Sequence, residues 1–235
     1  MTAIVDQRMP QNAKDRLFEL GFSVISLPPF SRLAAPVASH PDMLMLPLGD
    51  RLFVYKEYYE AHTSLLDTIA QKTGRMLCAV GSEVSEQYPE DIGLNLLVFG
   101  KHLLGRIDKT PAEILDYAVA QGCVPHFVKQ GYAKCSTVVL GDRAIISADP
   151  SILSAAESIG ANTLAVSSGG VSLPGYEYGF IGGACGAVDN RIFFCGSLAS
   201  HPEGGAIADF CRSHGFEIIS LSNLTLFDMG SIFFL

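Results

Sequence analysis

The chain alternates between helix-like and strand-like patterns of apolar residues, and single glycines join the two kinds of segment. In five places an amphipathic helix pattern stops at a glycine and a short β-prone run follows. Glycine after the last helical turn can adopt the left-handed conformation that ends a helix. The five glycines are Gly21, Gly74, Gly122, Gly160 and Gly215. The pattern therefore predicts five helix-to-strand units, the first complete one containing the helix EYYEAHTSLLDTIAQ.

Four further segments have the pattern of β-hairpins, in which two apolar runs flank a turn built on glycine or on Asp-Asn. They are HPDMLMLPLGDRLFVY, DIGLNLLVFGKHLLGR, YAKCSTVVLGDRAIIS and FIGGACGAVDNRIFFCG. Several hairpins lead into a helix start with proline in its first turn, as in KTPAEI, ADPSIL and SHPEGG. Thr110 and Glu113 of the first of these have the spacing of a capping box. Each hairpin and the helix-to-strand unit after it form one strand-strand-helix-strand repeat.

A fifth repeat is divided between the two ends of the sequence. The final segment FDMGSIFFL is similar to the opening strand DIGLNLLVF, and the initial TAIVDQRMPQNAKDRL is similar to RAIISADPSILSAA. Pairing of the terminal strands would close a ring and remove two exposed sheet edges. We therefore predict an α/β propeller of five ββαβ blades in one domain, residues 1–235. The alternative is an ordinary α/β sandwich with generic hairpins.

Composition and net charge argue against several classes of function. Of the 235 residues 49% are hydrophobic and 17% charged, which is typical of a compact globular protein. The net charge of −8 and the lack of a basic stripe argue against nucleic acid as a partner. No apolar run reaches the roughly 18 residues of a membrane span, and the start lacks a signal peptide, so we expect a cytoplasmic protein. Six scattered cysteines without metal-ligand spacing predict free thiols, with no metal site.

Polar residues and glycines cluster where the first strand of each repeat would begin. Alignment on the turns sets five quintets side by side, and in a ring these positions share one central cavity. Burying such groups is costly unless they pair or bind a ligand, so we predict a polar central site for a small molecule. The alternative is that the aspartates cap turns and that His40 is a solvated loop residue. The quintets are His40–Leu44, Asp91–Asn95, Tyr132–Ser136, Phe180–Ala184 and Asp228–Ile232.

These motifs resemble the pentein fold of the guanidine-group modifying enzymes, which include arginine deiminase, dimethylarginine dimethylaminohydrolase and the amidinotransferases. The family has a His-x-Asp motif and a nucleophilic cysteine separated by one repeat, as are His40, Asp42 and Cys135 here. DMGS, with Asp228, occupies the place of the family's Glu-Gly-Gly-Asp motif, so the chain looks circularly permuted. VKQGYAKCS and YGFIGGACG make it still more similar to an uncharacterised bacterial family of this fold, mostly from clostridia.

The resemblance implies covalent catalysis on the amidine-type carbon of a small molecule such as an arginine derivative. Cys135 would attack as a thiolate, and His40 would protonate the leaving group and then activate water. The implied thiouronium intermediate needs no cofactor or metal. A nearby cation would lower the pKa of Cys135. The implied substrate-binding residues are Asp42, Asp228, Asp91, Asn95 and Lys134.

Several observations leave alternatives open. Strict strand alternation points Cys135 away from the face that Asp42 uses, unless the strand start after Gly131 is irregular. Cys185 is a second possible nucleophile, and FIGG lacks the carboxylate that the enzymes usually have there.

A binding module without chemistry, like the pentein-fold ribosome anti-association factor, is therefore a second hypothesis. A third is that the loop SGGVSLPGYEYG binds a partner protein through its tyrosines. The sequence does not identify the substrate, does not distinguish hydrolysis from group transfer, and does not specify the oligomeric state.

Overall fold

The computed structural model of the protein describes residues 1–81 and 83–235. Within these residues fifteen β-strands form five sheets of three strands each. The predicted loop SEVSEQYPE begins at residue 82, which lies outside the described residues. The strands are β1 Thr2–Asp6, β2 Ser23–Leu27, β3 Met45–Leu48, β4 Arg51–Tyr55, β5 Met76–Val80, β6 Leu97–Phe99, β7 His102–Gly105, β8 Val124–Phe127, β9 Thr137–Leu140, β10 Ala144–Ser147, β11 Asn162–Ala165, β12 Cys185–Val188, β13 Arg191–Phe194, β14 Glu217–Ser220 and β15 Phe233–Phe234.

Every sheet has the same topology, which is that of the predicted ββαβ blade. The middle strand pairs antiparallel with the strand before it and parallel with the strand after the helix. In the blade β3-β4-β5, for example, Met45 lies opposite Val54 and Arg51 opposite Met76. The other blades are β6-β7-β8, β9-β10-β11, β12-β13-β14 and β15-β1-β2. The prediction of a five-bladed α/β propeller is confirmed.

The fifth blade closes the ring with strands from both ends of the chain. β15 pairs antiparallel with β1, with Ala3 opposite Phe234. Beyond this pair, the Thr2 N–H donates to the Leu235 carbonyl at 2.7 Å and the Leu235 N–H donates to the Thr2 carbonyl at 2.8 Å. The first strand β12 lies beside both β9 and β15, so neighbouring blades meet through their first strands. The split repeat predicted from the two termini is confirmed.

Helices connect the second and third strands of each blade. All five predicted helix-ending glycines have positive φ, between +68° and +91°. The helix predicted in the first complete repeat is two helices, because the chain breaks at His62, whose φ is −133°. The helices of the described residues are α1 Gln11–Glu19, α2 Pro41–Leu44, α3 Lys56–Ala61, α4 Thr63–Thr73, α5 Ala112–Ala120, α6 Pro150–Ser158 and α7 Gly204–Ser213.

The helix starts follow the sequence prediction only in part. Asp149 caps α6, since its side chain accepts hydrogen bonds from the N–H groups of Ser151 and Ile152. The predicted capping box between Thr110 and Glu113 is wrong. The Thr110 hydroxyl instead donates back to the Arg106 carbonyl at 3.1 Å, and α5 begins after Pro111 with no side-chain cap.

The core follows from the position of each strand in its blade. The middle strands are buried almost throughout, as in β1 and β10, and their apolar runs are continuous because both faces pack against protein. The third strands are partly exposed and form the outer edges. Among residues 1–81 and 83–235 we find no helix with the length and apolar character required to cross a membrane.

Ring closure makes a prediction about the C-terminal strand. The Phe234 ring packs against Phe22 and Phe193, with centroids 4.7 Å and 4.9 Å apart. We expect Phe234→Ala to lower the free energy of unfolding by about 2–3 kcal/mol, since the side chain is half-buried and a fully buried phenylalanine costs about 3–5 kcal/mol. Phe18→Ala, at a side chain 74% exposed, is the matched control with an expected change below about 0.5 kcal/mol. Equal effects in urea titrations would contradict packing of β15 against Phe22 and Phe193.

Candidate active site

The predicted strand starts are turns, and this changes where their side chains point. The first strands of the five blades begin later than predicted, at Met45, Leu97, Thr137, Cys185 and Phe233. The segment before Thr137 is a helical turn in which the Ser136 N–H donates to the Tyr132 carbonyl at 2.8 Å. Strand alternation therefore does not apply to Cys135. It lines a central cavity, whereas its neighbour Lys134 lines a separate cavity of about 270 Å³ formed largely by first-strand residues.

Asn95 fixes the turn that carries Cys135. Its side-chain carbonyl accepts hydrogen bonds from the Lys134 N–H at 2.9 Å and from the Cys135 N–H at 3.2 Å. Its amide group donates to the Met43 sulfur at 3.3 Å. Asn95 is fully buried and belongs to the neighbouring repeat. The Asn95 side chain thus connects the turn that carries Cys135 to the neighbouring blade β6-β7-β8.

Asp228 is the carboxylate in contact with Cys135. The Cys135 thiol lies 3.5 Å and 3.6 Å from its two oxygens and can donate to either. Oδ2 also accepts from the Phe180 N–H at 2.8 Å, and Oδ1 accepts from the Gly230 N–H at 2.9 Å. Gly183 packs so closely that a Cβ there would overlap Asp228 and lie 2.7 Å from the Cys135 sulfur. Glycine at this position leaves the space for the carboxylate and thiol to meet.

His40 lies between two carboxylates. Its Nδ1 is 3.8 Å from Asp228 Oδ1, and its Nε2 is 3.8 Å from Asp6 Oδ2. The side chain is 1% exposed, and within the described residues neither nitrogen has a hydrogen-bond partner. Both nitrogens are therefore free to exchange protons with a ligand or a side chain that comes within hydrogen-bond distance.

Asp6 was not identified from the sequence. It ends β1 and is fully buried, with Ser39 donating to it at 2.8 Å. Burial alone would raise the pKa of Asp6, but side-chain and backbone hydrogen bonds from Arg8 outweigh it and lower the pKa. The comparison of first strands could not find Asp6, because it lies at the end of a middle strand. The sequence signal that could have identified Asp6 is its position at the end of a mainly apolar strand, two residues before Arg8.

Asp42 and Lys134 meet through Ser231. The Ser231 hydroxyl donates to Asp42 at 2.7 Å and accepts from the Lys134 ammonium at 2.9 Å. Ser231 has φ +68°, a left-handed conformation that costs a non-glycine residue on the order of 1 kcal/mol. Burial raises the pKa of Asp42, whereas His40 opposes the rise. These hydrogen bonds hold the turn that follows Asp228.

Asp91 lies behind one wall of the cavity. Its carboxylate accepts a hydrogen bond from the Tyr132 hydroxyl at 2.6 Å, and burial raises the pKa of both groups. Of the predicted site residues, the structure brings His40, Cys135 and Asp228 to the cavity surface. Asp42, Asp91, Asn95 and Lys134 are not among the cavity-lining residues that the structure describes. Cys185 is also absent from that lining; it is buried at the start of β12.

The cavity has a volume of about 290 Å³, and its walls are mainly aromatic and aliphatic. Part of the loop SGGVSLPGYEYG forms one wall, contributing a leucine, two tyrosines and a glutamate. Sequence reasoning considered the tyrosines only for a partner protein. The lining residues are Val37, His40, Met43, Tyr132, Cys135, Leu173, Tyr176, Glu177, Tyr178, Phe180 and Asp228.

The charge around Cys135 differs from the sequence expectation of an acidic thiol. Burial raises the pKa of Cys135 well above its ordinary value, and the carboxylates of Asp228 and Asp42 raise it further; Lys134 opposes them. The thiol is therefore protonated near neutral pH. His40, Cys135 and Asp228 also have ligand atoms within 4.8 Å of one another, a spacing that could hold a metal ion.

Removal of the Asp228 charge tests this electrostatic arrangement. A negative charge disfavours a neighbouring thiolate, so Asp228→Asn is expected to lower the pKa of Cys135. Each unit of pKa decrease gives about tenfold more thiolate below the pKa, and alkylation by iodoacetamide at pH 8 should accelerate accordingly. Peptide mass spectrometry follows Cys135, with the partly exposed Cys123 in the same sample as the control. Unchanged or slower labelling of Cys135 would show that Asp228 does not set its pKa.

Comparisons with known proteins support the fold. No curated protein sequence matches the chain significantly. A cysteine-to-serine mutant of DDAH from Pseudomonas aeruginosa, complexed with citrulline, is 13% identical with a TM-score of 0.60, covering 94% of this chain and 92% of its own. Inosamine-phosphate amidinotransferase from Streptomyces griseus is 15% identical with a TM-score of 0.59, over 93% and 77%.

A third solved structure agrees. The N-terminal domain of ArgZ, a cyanobacterial arginine dihydrolase, is 12% identical with a TM-score of 0.54, over 92% of this chain and 80% of that one. At such identities the likeness establishes the pentein fold alone. The model of the family described as "Family of unknown function (DUF6873)" matches residues 4–233. The chain therefore belongs to the DUF6873 family and has the pentein fold.

Proposed function

We propose that the protein is a cysteine-dependent hydrolase or transferase that cleaves a C–N bond of a guanidine- or amidine-type cation. The observation that carries the proposal is the meeting of Cys135, His40 and Asp228 within 4.8 Å on the surface of one cavity. The group combines a nucleophile, an acid-base residue and an anion for the substrate's N–H groups. The similar solved structures include an amidinotransferase and an arginine dihydrolase, which supports this class of chemistry.

The raised pKa of Cys135 fits activation by the substrate itself. An amidinium bound against Asp228 offsets the negative charge that disfavours the thiolate. Charge-assisted hydrogen bonds from the amidinium N–H groups to the carboxylate also hold the carbon near the sulfur. Cys135 then transfers its proton to His40, which has a nitrogen within 4.8 Å of the sulfur.

The reaction proceeds through two tetrahedral species. The Cys135 sulfur forms a bond to the amidinium carbon, and protonated His40 gives its proton to the departing amine as the C–N bond breaks. A thiouronium cation on Cys135 and a neutral His40 remain. Water then adds to the carbon as His40 takes its proton; the C–S bond breaks, and the sulfur leaves as thiolate. A ureido product is released, Cys135 recovers a proton, and in a transferase an acceptor amine replaces water.

The other predicted residues act on this site through contacts with it. Asn95 holds the backbone of Cys135 in place. Lys134 and Asp42 hold Ser231 in the turn after Asp228. Asp91 holds the Tyr132 ring at the cavity wall. We therefore propose positioning roles for Asn95, Lys134, Asp42 and Asp91 in place of direct substrate binding.

Turnover of small guanidines and amidines tests the proposal. With benzamidine, alkylguanidines and arginine derivatives as test compounds, we expect at least one of them to release ammonia or amine together with a ureido or amide product. Cys135→Ala should abolish turnover, and His40→Gln should lower kcat/KM by about 10²–10⁴-fold, the usual contribution of general acid-base catalysis. Cys185→Ala, at a buried cysteine outside the cavity lining, is the matched control and should stay active.

Three results would contradict catalysis by Cys135. Turnover that survives Cys135→Ala would exclude a covalent role for this residue. Turnover that is lost with a chelator and restored by a divalent metal would instead make His40, Cys135 and Asp228 metal ligands. If no compound turns over but amidines bind, the non-catalytic binding module is the correct function.

A further inference from the structure

Aromatic side chains form a connected wall of the central cavity. The Phe180 ring lies 5.9 Å from Tyr132 and 6.5 Å from Tyr178, and the second pair is nearly perpendicular, at 85°. Tyr132 is fixed by its hydrogen bond to Asp91 and by contact with Tyr88, 5.9 Å away. Ring faces attract cations and pack well against apolar groups. This wall therefore favours a ligand that is both cationic and apolar.

The charged residues of the cavity are acidic. Asp228 lies beside the thiol, and Glu177 belongs to the loop over the cavity. Among the described residues that line the cavity there is no lysine and no arginine. A ligand carboxylate would face two carboxylates and, apart from His40, no side chain that can carry a positive charge, and an unpaired buried charge is strongly disfavoured.

Three basic side chains that contact residues around the site are already engaged elsewhere. Arg8 binds both oxygens of Asp6. Arg106 binds both oxygens of Asp108 and donates to the Tyr88 hydroxyl at 3.0 Å. Lys134 donates to Ser231 and lines the other cavity. Each of these three cations would have to break its present contacts to serve as the counterion of a carboxylate in the central cavity.

Cavity size limits the ligand further. A volume of about 290 Å³ lies at the lower end of the roughly 300–1,000 Å³ range of small-molecule pockets. That is enough for an amidine or guanidine head with a short alkyl chain or one aromatic ring. We infer that the substrate of this site is a small alkyl- or aryl-substituted amidine or guanidine without a carboxylate group, and not an amino acid. The inference rests on the proposed function for the amidine head, and on the lining alone for the exclusion of the carboxylate.

Matched ligand pairs test the inference by calorimetry on the Cys135→Ala protein, in which no covalent step occurs. The pairs are butylguanidine with 4-guanidinobutanoate, and benzamidine with 4-amidinobenzoate, which differ only by the carboxylate. We expect the carboxylate-free member of each pair to bind at least about tenfold more tightly, or 1.4 kcal/mol. Equal or tighter binding of the carboxylates would overturn the inference, as would failure of all four compounds to bind.

Two variants in the same Cys135→Ala background test whether Glu177 and Tyr178 cause the discrimination against carboxylates and the affinity for cations. Glu177→Gln should reduce the discrimination against 4-guanidinobutanoate, because one repelling charge is removed. Tyr178→Leu should weaken both cationic ligands several-fold, whereas Phe127→Leu, at an exposed ring outside the cavity, should change neither. Unchanged discrimination and affinity in both wall variants would contradict recognition by this wall.

The outcomes separate this inference from the proposed catalytic function. Selective binding of carboxylate-free cations without turnover in the unmodified protein would contradict the catalytic proposal and support the inference. Faster turnover of arginine derivatives than of butylguanidine or benzamidine would support the catalytic proposal and contradict the inference.

Discussion

The candidate site depends on the hydrogen bonds that converge on Asp228. This buried carboxylate joins the turn before β15, the backbone at Phe180 and the thiol of Cys135, which belong to three different blades. An ionised carboxylate in a dry interior is stable only when its oxygens are well supplied with donors. The requirement for those donors brings the blade ends together and leaves the thiol facing the open cavity.

The same arrangement disfavours the thiolate form of Cys135 in the free protein. Burial and two carboxylates raise the pKa of Cys135, so little thiolate is present without a ligand. Low thiolate content also protects a cysteine from oxidation and from chance electrophiles. In the proposed reaction a cation in the cavity would offset the charge of Asp228, so the reactivity of Cys135 would depend on the charge of the ligand. The acidic lining and the aromatic wall would favour that charge before any bond is formed.

The repeat could be predicted from the sequence because local signals specify it. Glycines that end helices, hairpin turns and apolar runs recur once per blade, and the terminal strands carry the same pattern in two halves. The site was harder to predict, since backbone hydrogen bonds convert the expected strand starts into turns. Residues that the alignment of the strand starts placed in one central cavity, such as Cys135 and Lys134, are divided between two cavities. Asp6 and Glu177 reach the site only through tertiary structure, from a middle strand and a long loop.

Closure of the ring by β1 and β15 has a consequence for how the molecule folds. Strand pairs within the other blades form between segments close in sequence, whereas Ala3 and Phe234 lie at opposite ends of the chain. Contacts of such long sequence separation form late and slow the folding of a domain. Until β15 has been synthesised, β1 lacks its antiparallel partner and presents an apolar edge that favours association with other chains. A strand made late in this domain thus protects one made early.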